Sequence, residues 1–441
     1  MLRTILAAVA LCAAAWGQWA DPAAVQEVAA GKRTTANAAW WGFKEDDATE
    51  ALQAAIDSGA KKVVVPMVGA PWIIRPVRLR GSQELVFEPG VLVLAKKGEF
   101  KGGGDSLFTA SGVSDLVIRG YGATLRMRKL DYQGPDYKKA EWRMGVSILG
   151  CRRVRVEGLR VESSGGDGFY VAGGANLHYS EDIVIRDVVA HDNHRQGMSV
   201  ISAVNLLVEN SVFSGTWGTA PEAGIDFEPD VETDRLVNCV VRNCRFISNR
   251  GHAILVYLKP LTKASAPVSV RFENCHSRMG EPGMDPAAVA ALNLGGHAGM
   301  VVGAAGDKGP QGLVEFIDST SENTGREGAK VYDKSAAGVR VRFVRCAWKS
   351  PWTSPAPEYW GQRVPVLLEA RRAEVSSDPG GVDFEDCRVY DAVNRPAVVY
   401  DDARGVKPLR DVHGRITVAK KTSARFKGAG QTDLQVISAE K

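Results

Sequence analysis

The sequence Val241-Arg242-Asn243-Cys244 recurs as Phe272-Glu273-Asn274-Cys275. Both copies place a hydrophobic residue, a polar residue and then Asn in the same local setting. Six further copies keep this order with Asn, Asp or Gly in the third place, and one degenerate copy ends in Arg. They are Ile118-Arg119-Gly120, Val156-Glu157-Gly158, Ile185-Arg186-Asp187, Val208-Glu209-Asn210, Phe316-Ile317-Asp318, Phe384-Glu385-Asp386 and the degenerate Phe343-Val344-Arg345. Spacings of roughly 23 to 44 residues are typical of a solenoid.

A second, glycine-led strand follows several copies of the motif. The segments are Gly168-Phe169-Tyr170-Val171, Gly197-Met198-Ser199-Val200 and Gly224-Ile225-Asp226-Phe227-Glu228. An antiparallel sandwich would not place one tripeptide in register so many times. Stacked parallel strands would, because equivalent residues then form ladders about 4.8 Å apart. The repeat therefore predicts an all-β parallel β-helix solenoid, with Asn210, Asn243 and Asn274 stacked on one another.

Composition and the chain start indicate the class of protein. The chain has 441 residues, 45% of them apolar, which is too hydrophobic for disorder. Its 55 Lys and Arg against 51 Asp and Glu leave a charge of +4, which argues against a nucleic-acid partner. Arg3 precedes a short apolar run from Thr4 to Ala15, which is typical of an export signal. We expect a secreted or periplasmic protein without a membrane span; its oligomeric state stays open.

A helix is expected ahead of the strands. Asp47-Ala48-Thr49-Glu50 is a capping box, and an apolar stripe of Leu52, Ala55 and Ile56 follows it. Because a solenoid end must be covered, this helix should form an N-terminal cap. The expected organisation is a signal at 1–17, an N-terminal segment with the capping helix at 18–60, the β-helix domain at 61–420 and a C-terminal tail at 421–441.

The cysteines are interpreted as core residues. Cys244, Cys275, Cys346 and Cys387 each follow the third residue of a motif copy, so they should form a ladder. An even number of cysteines in an exported protein permits disulfides. The shared place in the repeat favours stacked, buried, free thiols instead.

Part of the chain resembles a known superfamily. The stretch Asp46–Ile56, followed by Val63–Pro66 and Phe87–Leu92, resembles the N-terminal cap and first rungs of the pectin-lyase-like superfamily, which includes polygalacturonases, pectate lyases and alginate epimerases. Trp142–Leu159 is similar to a rung of polygalacturonase-like hydrolases, and His191–Gly197 resembles a rung of alginate epimerases. The resemblance covers roughly residues 44–400. It implies a right-handed parallel β-helix and a polysaccharide substrate.

Two outward carboxylates are the main candidates for chemistry. In the strand that begins at Gly224, Asp226 and Glu228 alternate with core residues, so both should point out on the same face. Their Cα atoms are then roughly 6.8 Å apart, which suits the acid and base of an inverting glycosidase. Asp192 and Asp167 lie in neighbouring turns and are expected to assist the water. A solvated strand face is the structural alternative for such a pair.

Cations and aromatics around this segment are candidate substrate-binding residues. Counted from the shared glycine, Tyr170, Ser199 and Asp226 should form one ladder. Arg side chains can grip a uronate carboxylate with two hydrogen bonds, and aromatic side chains stack on sugar faces. The residues assigned to substrate binding are Tyr170, His194, Arg195, Glu222, Arg250, His252, Lys259, Trp352 and Trp360.

The expected activity is hydrolysis of an acidic polysaccharide without a cofactor. The first alternative is a calcium-assisted lyase or epimerase, in which Asp226 and Glu228 would bind the metal and Arg195, Arg250 or Tyr170 would transfer the proton. The second alternative is a non-catalytic glycan-binding β-helix protein. The sequence leaves the sugar, the linkage and the choice between endo and exo action open.

Overall fold

The computed structural model describes residues 19–292, 294–353, 363–372, 378–402, 407–419, 426–427 and 430–439. The expected signal at 1–17 lies outside these residues. The helices in the described part are short: Pro22–Ala29, Thr49–Asp57, Pro286–Ala291 and the 3-10 turns Ala38–Trp41 and Asp131–Gln133. None of the helices in this part is long and apolar enough to cross a membrane.

The strands form a parallel β-helix of two sheets. Each typical rung gives one long and one short strand to sheet A and one strand to sheet B. The long strands of sheet A are Thr35–Asn37, Lys62–Val65, Gln83–Phe87, Ser114–Arg119, Arg152–Glu157, Ser180–Arg186, Ala203–Glu209, Leu236–Arg242, Val268–Glu273, Gly312–Ile317, Arg340–Val344, Gly380–Tyr390, Leu409–Ala419 and Gly430–Ser438. Its short strands are Trp72–Ile74, Leu92–Ala95, Thr124–Arg126, Arg160–Glu162, Val189–His191, Val212–Ser214, Arg245–Ile247, His276–Arg278, Thr320–Glu322 and Ala347–Lys349. Sheet B contains Val77–Arg78, Phe108–Ser111, Val146–Leu149, Phe169–Ala172, Gln196–Val200, Ala223–Phe227, Ile254–Tyr257, Met300–Gly303, Ala329–Tyr332, Val366–Ala370, Val398–Asp402 and Phe426–Lys427.

The motif lies at the turn between the long and the short strand of each rung. Asn210, Asn243 and Asn274 all have positive φ, near 50°, a conformation that Asn tolerates better than most residues. The side-chain amide of Asn243 donates to Oδ1 of Asn210 at 3.3 Å, and that of Asn274 donates to Oδ1 of Asn243 at 2.9 Å. The predicted Asn ladder is confirmed.

The first residue of the motif fills the core. Phe272, Phe316, Phe343 and Phe384 are buried, and their rings stack in sequence, with centroids 4.8 Å apart for the first pair. Burying each such ring contributes roughly 1.5–3 kcal/mol. Cys244, Cys275, Cys346 and Cys387 are buried and free, as predicted, and Cys151 and Cys239 are buried and free as well.

The second residue of the motif forms a charged ladder on the outer face of sheet A. Arg119, Glu157, Arg186, Glu209 and Arg242 are in register on successive rungs. Arg119 and Arg186 lie 3.0 and 2.8 Å from the carboxylate oxygens of Glu157, and Arg242 lies 2.7 Å from Glu209. Opposite charges on adjacent strands support the register of this sheet.

The N-terminal helix forms as predicted, but its cap differs in detail. Leu52, Ala55 and Ile56 are buried in the main core. The helix Thr49–Asp57 begins after Ala48, and the Asp47 carboxylate accepts the backbone N–H of Thr49 at 3.0 Å. At the other end, strand Gly430–Ser438 pairs with Leu409–Ala419, so parallel pairing continues into the segment expected to be a tail.

Candidate active site

Asp226 faces outward from sheet B but is fully buried. Its neighbours Ile225 and Phe227 point into the core, and Asp226 is in register with Ser199 and, one rung earlier, Tyr170. The predicted ladder of these three residues is therefore confirmed. The outward side of this strand is covered by protein, so its carboxylate is not solvated in the way that a strand-face carboxylate usually is.

Gln196 holds the Asp226 carboxyl group. Its side-chain amide donates to Oδ2 of Asp226 at 2.9 Å, while its own oxygen accepts the backbone N–H of Ala223 at 2.9 Å. Oδ1 of Asp226 is buried without a hydrogen-bond partner. Burial and then the negative charge of Glu228 raise the pKa of Asp226 well above its ordinary value. The raised pKa favours the protonated form of Asp226.

Asp167 is a second buried carboxyl group. It lies just before strand Phe169–Ala172, and neither of its oxygens makes a hydrogen bond of normal geometry. The Ser199 hydroxyl and the Arg195 guanidinium, whose Nη1 is 3.6 Å from Oδ2, favour its ionised form. Burial outweighs them and raises the pKa of Asp167 to about 7. Such a group can exchange a proton near neutral pH.

Arg195 is the cation that contacts the carboxyl groups of this site. Its Nη2 donates to Oε2 of Glu228 at 2.7 Å, and its Nε lies 4.0 Å from Oε1 of Glu141. Burial lowers the pKa of Arg195, but the surrounding carboxylates raise it further, so the net shift is upward. Glu228 is 27% exposed and Arg195 12% exposed, whereas Asp167 is fully buried. We call Asp167, Asp226, Glu228 and Arg195 the carboxylate cluster.

The carboxylate cluster combines a buried carboxyl group of raised pKa, Asp226, with a salt-bridged carboxylate, Glu228, that reaches the surface. Two carboxyl groups in such different surroundings can serve as acid and base in one reaction. Tyr170 borders this cluster and is half-buried. Burial and then the charge of Asp230 raise the pKa of Tyr170, so it is protonated and able to donate a hydrogen bond.

Asp192, which we expected to assist the water, directs its carboxylate elsewhere. Lys129 Nζ lies 2.9 Å from Oδ1 of Asp192, and the Trp217 indole N–H donates to the same oxygen at 2.7 Å. Asp192 belongs to the turn between the short strand Val189–His191 and the start of sheet B. Its carboxylate therefore contacts the loops at that turn, and Asp167 replaces it in the carboxylate cluster.

His194 and Glu222 support the same loops. The His194 ring is buried and lies within hydrogen-bonding distance of Thr219 and, more loosely, of Gln133. Burial lowers the pKa of His194, so it is neutral at pH 7. Glu222 accepts the backbone N–H of Gly218 at 2.7 Å and thus stabilises its own loop.

Arg250, His252 and Lys259 do not lie together. Arg250 and His252 precede strand Ile254–Tyr257, whereas Lys259 follows it on the opposite edge of sheet B. The His252 ring packs against the His297 ring, with centroids 5.1 Å apart. Burial lowers the pKa of His252 well below its ordinary value and that of His297 to about 4. Both imidazoles are therefore neutral at pH 7.

Of the two candidate tryptophans, only Trp352 lies in the described part of the chain. The Trp352 indole N–H donates to the carbonyl of Val364 at 3.1 Å, and the Arg363 guanidinium lies 5.9 Å from its ring centroid. Trp352 thus lies several rungs away from Asp226. Trp360 lies outside the described residues.

Gln196 and Lys129 were missed by reasoning from the sequence. Gln196 stands immediately before the shared glycine, the place that Asp167 holds in the preceding rung, so this equivalence could have identified it. Lys129 comes from a loop 63 residues before Asp192 and carries no repeat signal.

The donor set at Asp226 and Glu228 does not suit calcium in this arrangement. Glu228 is bound by the Arg195 guanidinium, and Asp226 accepts a hydrogen bond from Gln196. Calcium prefers several ionised or carbonyl oxygens around one point. Within the described ranges, no group of three or more His, Cys, Asp or Glu side chains is arranged to hold a metal ion.

Comparison with protein families and curated proteins identifies partial matches. Residues 136–283 match a family described as right handed beta helix region. Two Bacillus subtilis proteins are similar in sequence: YclG, described as uncharacterized, is 32% identical over 126 residues, and the prophage-derived YorA is 22% identical over 214 residues. These matches cover 26% and 45% of this chain, but 22% and 35% of the two relatives. The chain therefore spans about a quarter to a third of their length.

Solved structures show the same architecture over most of the chain. A family 28 exopolygalacturonase of Yersinia enterocolitica has a TM-score of 0.61 at 12% identity, covering 92% of this chain and 78% of that one. The A-module of the mannuronan C-5 epimerase AlgE4 of Azotobacter vinelandii scores 0.58 at 16% identity, with 92% and 100% covered. The surface adhesin PfbA of Streptococcus pneumoniae scores 0.59 at 12% identity, with 92% and 94% covered.

These similarities confirm the fold, a right-handed parallel β-helix. At such identities they concern the fold. Because a hydrolase, an epimerase and an adhesin share it, the reaction must be argued from the site.

Proposed function

We propose that the protein is an exported enzyme that hydrolyses glycosidic bonds in an acidic polysaccharide. The observation that carries this proposal is the carboxylate cluster, in which the buried Asp226, whose pKa is raised by burial, lies beside a salt-bridged Glu228. Glycoside hydrolysis needs one carboxylic acid to protonate the leaving oxygen and one carboxylate to activate water or attack the sugar. The export part of the proposal rests on residues 1–17.

The residues then take distinct roles. Asp226 donates its proton to the glycosidic oxygen as the bond to the anomeric carbon breaks. Glu228 takes a proton from the water whose oxygen bonds to that carbon, so one new hydroxyl forms on each product. Arg195 binds Glu228 and holds its carboxylate in place, and Asp167, with its pKa of about 7, can return a proton to the site.

Product analysis on a panel of acidic and neutral polysaccharides tests this function. Hydrolysis gives new reducing ends, no ultraviolet absorbance from an unsaturated uronate, and activity that survives a chelator. Asp226→Asn and Glu228→Gln should each reduce the rate by at least about a hundredfold, the scale of general acid–base catalysis. Glu209→Gln, which changes a salt-bridged carboxylate on sheet A, is the matched control and should keep full activity.

The other outcomes identify the alternatives. An ultraviolet-absorbing product that disappears with chelator would indicate a lyase, and a change in uronate stereochemistry without cleavage would indicate an epimerase. Tight glycan binding without turnover would favour a binding protein. Full activity in both carboxylate variants would place the chemistry outside the carboxylate cluster.

A further inference from the structure

Gln196 makes two hydrogen bonds through the two atoms of its side-chain amide. Its oxygen Oε1 accepts the backbone N–H of Ala223 at 2.9 Å, and its nitrogen Nε2 donates to Oδ2 of Asp226 at 2.9 Å. Gln196 is in register with Ala223 in sheet B, and Asp226 lies on the same strand as Ala223. All three residues are fully buried. The Gln196 amide is therefore held at two points of the next rung.

The contact with Ala223 determines which way the Gln196 amide faces. A backbone N–H can only donate, so the atom that meets it must be the amide oxygen. The opposite orientation would place the NH2 group of Gln196 against the N–H of Ala223, with two buried donors facing each other. The NH2 group therefore faces Asp226, and this group can only donate.

The two carboxyl oxygens of Asp226 consequently have different surroundings. Oδ2 accepts the hydrogen bond from Gln196, whereas Oδ1 is buried and meets no donor among the described residues. In a protonated carboxyl group, one oxygen carries the proton and the other is the better acceptor. A donor at Oδ2 therefore favours the proton on Oδ1.

Glu228 gives a second reason for a proton on Oδ1. Burial and the charge of Glu228 raise the pKa of Asp226, and a hydrogen bond between the two side chains adds to this effect. Two carboxyl groups can form such a bond only when one of them carries a proton. Glu228 is salt-bridged to Arg195 at 2.7 Å, so it is the carboxylate of the pair. Oδ1 is the Asp226 oxygen that Gln196 leaves free for this bond.

We propose that Gln196 is a positioning residue that fixes the acid proton of Asp226 on Oδ1, the oxygen that delivers the proton to the leaving group. Without Gln196, the carboxyl group could turn about its Cβ–Cγ bond and either oxygen could carry the proton. An acid held in one orientation needs no rearrangement before transfer, which is how such a residue contributes to the rate. The effect on rate rests on the proposed function, whereas the position of the proton does not depend on cleavage.

Infrared spectroscopy of the free protein tests the position of the proton without a substrate. The carbonyl stretch of protonated Asp226 is the band that Asp226→Asn removes in spectra recorded from about pH 4 to pH 8. Gln196→Met keeps the length of the side chain but cannot donate. The band should then move to higher frequency, because the C=O bond at Oδ2 loses the donor that weakens it. An unmoved band, or the absence of any protonated band that depends on Asp226, would contradict the inference.

Kinetics test what the fixed proton contributes to the reaction. Gln196→Met should lower kcat by at least about tenfold and change KM by less than about twofold. Because the lost donor also stabilised the ionised carboxylate, the pKa of Asp226 should rise and the alkaline limb of the kcat profile should move to higher pH. Gln196→Glu should recover activity at low pH, where the introduced carboxyl group is protonated and can both accept from Ala223 and donate to Asp226. A folded Gln196→Met protein with the wild-type kcat and pH profile would overturn the positioning role.

Gln83→Met is the matched control for Gln196→Met. Gln83 is also buried, and its side-chain amide donates to the carbonyls of Ile56 at 3.1 Å and Ala60 at 2.8 Å. It lies on strand Gln83–Phe87 of sheet A, so its loss should lower stability but change neither the infrared band nor the pH profile. If the wild type cleaves no polysaccharide but the band moves in Gln196→Met alone, the hydrolase proposal fails and the position of the proton is confirmed. If the wild type cleaves and the two variants behave alike, this inference alone fails.

Discussion

Ionisable side chains form partly exposed ion pairs on the outer face of sheet A, whereas carboxyl groups are fully buried on the outer face of sheet B. On sheet A, Glu157 and Glu209 each meet an arginine on the neighbouring rung, and those arginines are partly exposed. On sheet B, Asp167 and Asp226 are fully buried, and three of their four carboxyl oxygens lack a hydrogen-bond partner. The ion pairs of sheet A recur with the repeat from rung to rung, whereas the buried carboxyl groups of sheet B interrupt the repeat.

The difference has an energetic meaning. Exposed ion pairs cost little to form and contribute little, typically below about 1 kcal/mol. A buried carboxyl group without full hydrogen bonding destabilises the fold and is kept neutral by a raised pKa. A solenoid could fill these positions with apolar residues, as it does at Leu255 and Val301 in the same ladder. Buried acids in place of such residues are therefore better explained by chemistry than by stability.

The largest expected effect comes from removing the cation of the carboxylate cluster. Arg195→Gln leaves Asp167 and Glu228 without their positive neighbour, and breaking a partly buried pair in this way costs about 3 kcal/mol or more. Thermal or urea unfolding at pH 8 should show a clear loss of stability. The loss should shrink at pH 5, where Asp167, with its pKa of about 7, is protonated. A loss of similar size at both pH values would mean that Arg195 acts through packing.

The second effect, expected for Asp167→Asn, is a gain in stability instead of a loss. The pKa of Asp167 is about 7 in the folded chain against 3.8 ordinarily, so the stability it contributes is present below about pH 4 and is lost as the pH rises through 7. Asp167→Asn removes a group whose ionisation is unfavourable in the folded chain. The midpoint of thermal unfolding should therefore rise at pH 8 and rise less at pH 5.

Asp192→Asn is the matched control for this variant. Burial raises the pKa of Asp192, but the hydrogen bond and charge of Lys129 lower it below its ordinary value. Its stabilising contribution is present above the ordinary pKa and is lost as the pH falls. The same substitution should therefore lower the unfolding midpoint at pH 8, and an increase in both variants would contradict the distinction between the two sites.

The smallest effect is expected on sheet A. Arg242→Gln removes the exposed partner of Glu209 and should change the free energy of unfolding by less than about 1 kcal/mol. The change should diminish in 1 M salt, where exposed charges are screened. A loss as large as that of Arg195→Gln would show that the charged ladder is a major source of stability and would remove the contrast between the two faces.

Local repetition made part of the site predictable. Tyr170, Ser199 and Asp226 share a place after the same glycine, and equal spacing from a shared turn is enough to align them in a parallel stack. The alternating signs of Arg119, Glu157, Arg186, Glu209 and Arg242 are also visible in the repeat, although their pairing becomes evident only in the register of the strands. Asp192 shows the limit of this reasoning. The repeat does not fix the direction in which the side chain of a turn residue points, and the Asp192 carboxylate binds Lys129 from a distant loop.

By itself, the sequence determined the parallel β-helix, its Asn ladder and its core of stacked Phe and Cys side chains. Each of these features depends on residues that recur at equivalent places in the repeat, because parallel stacking brings equivalent residues into contact. The burial of Asp226, its hydrogen bond with Gln196 and the position of Arg195 among three carboxyl groups were decided by the tertiary structure alone. These features depend on which side chains from different rungs and insertions pack over one another. Local spacing in the chain does not specify that packing.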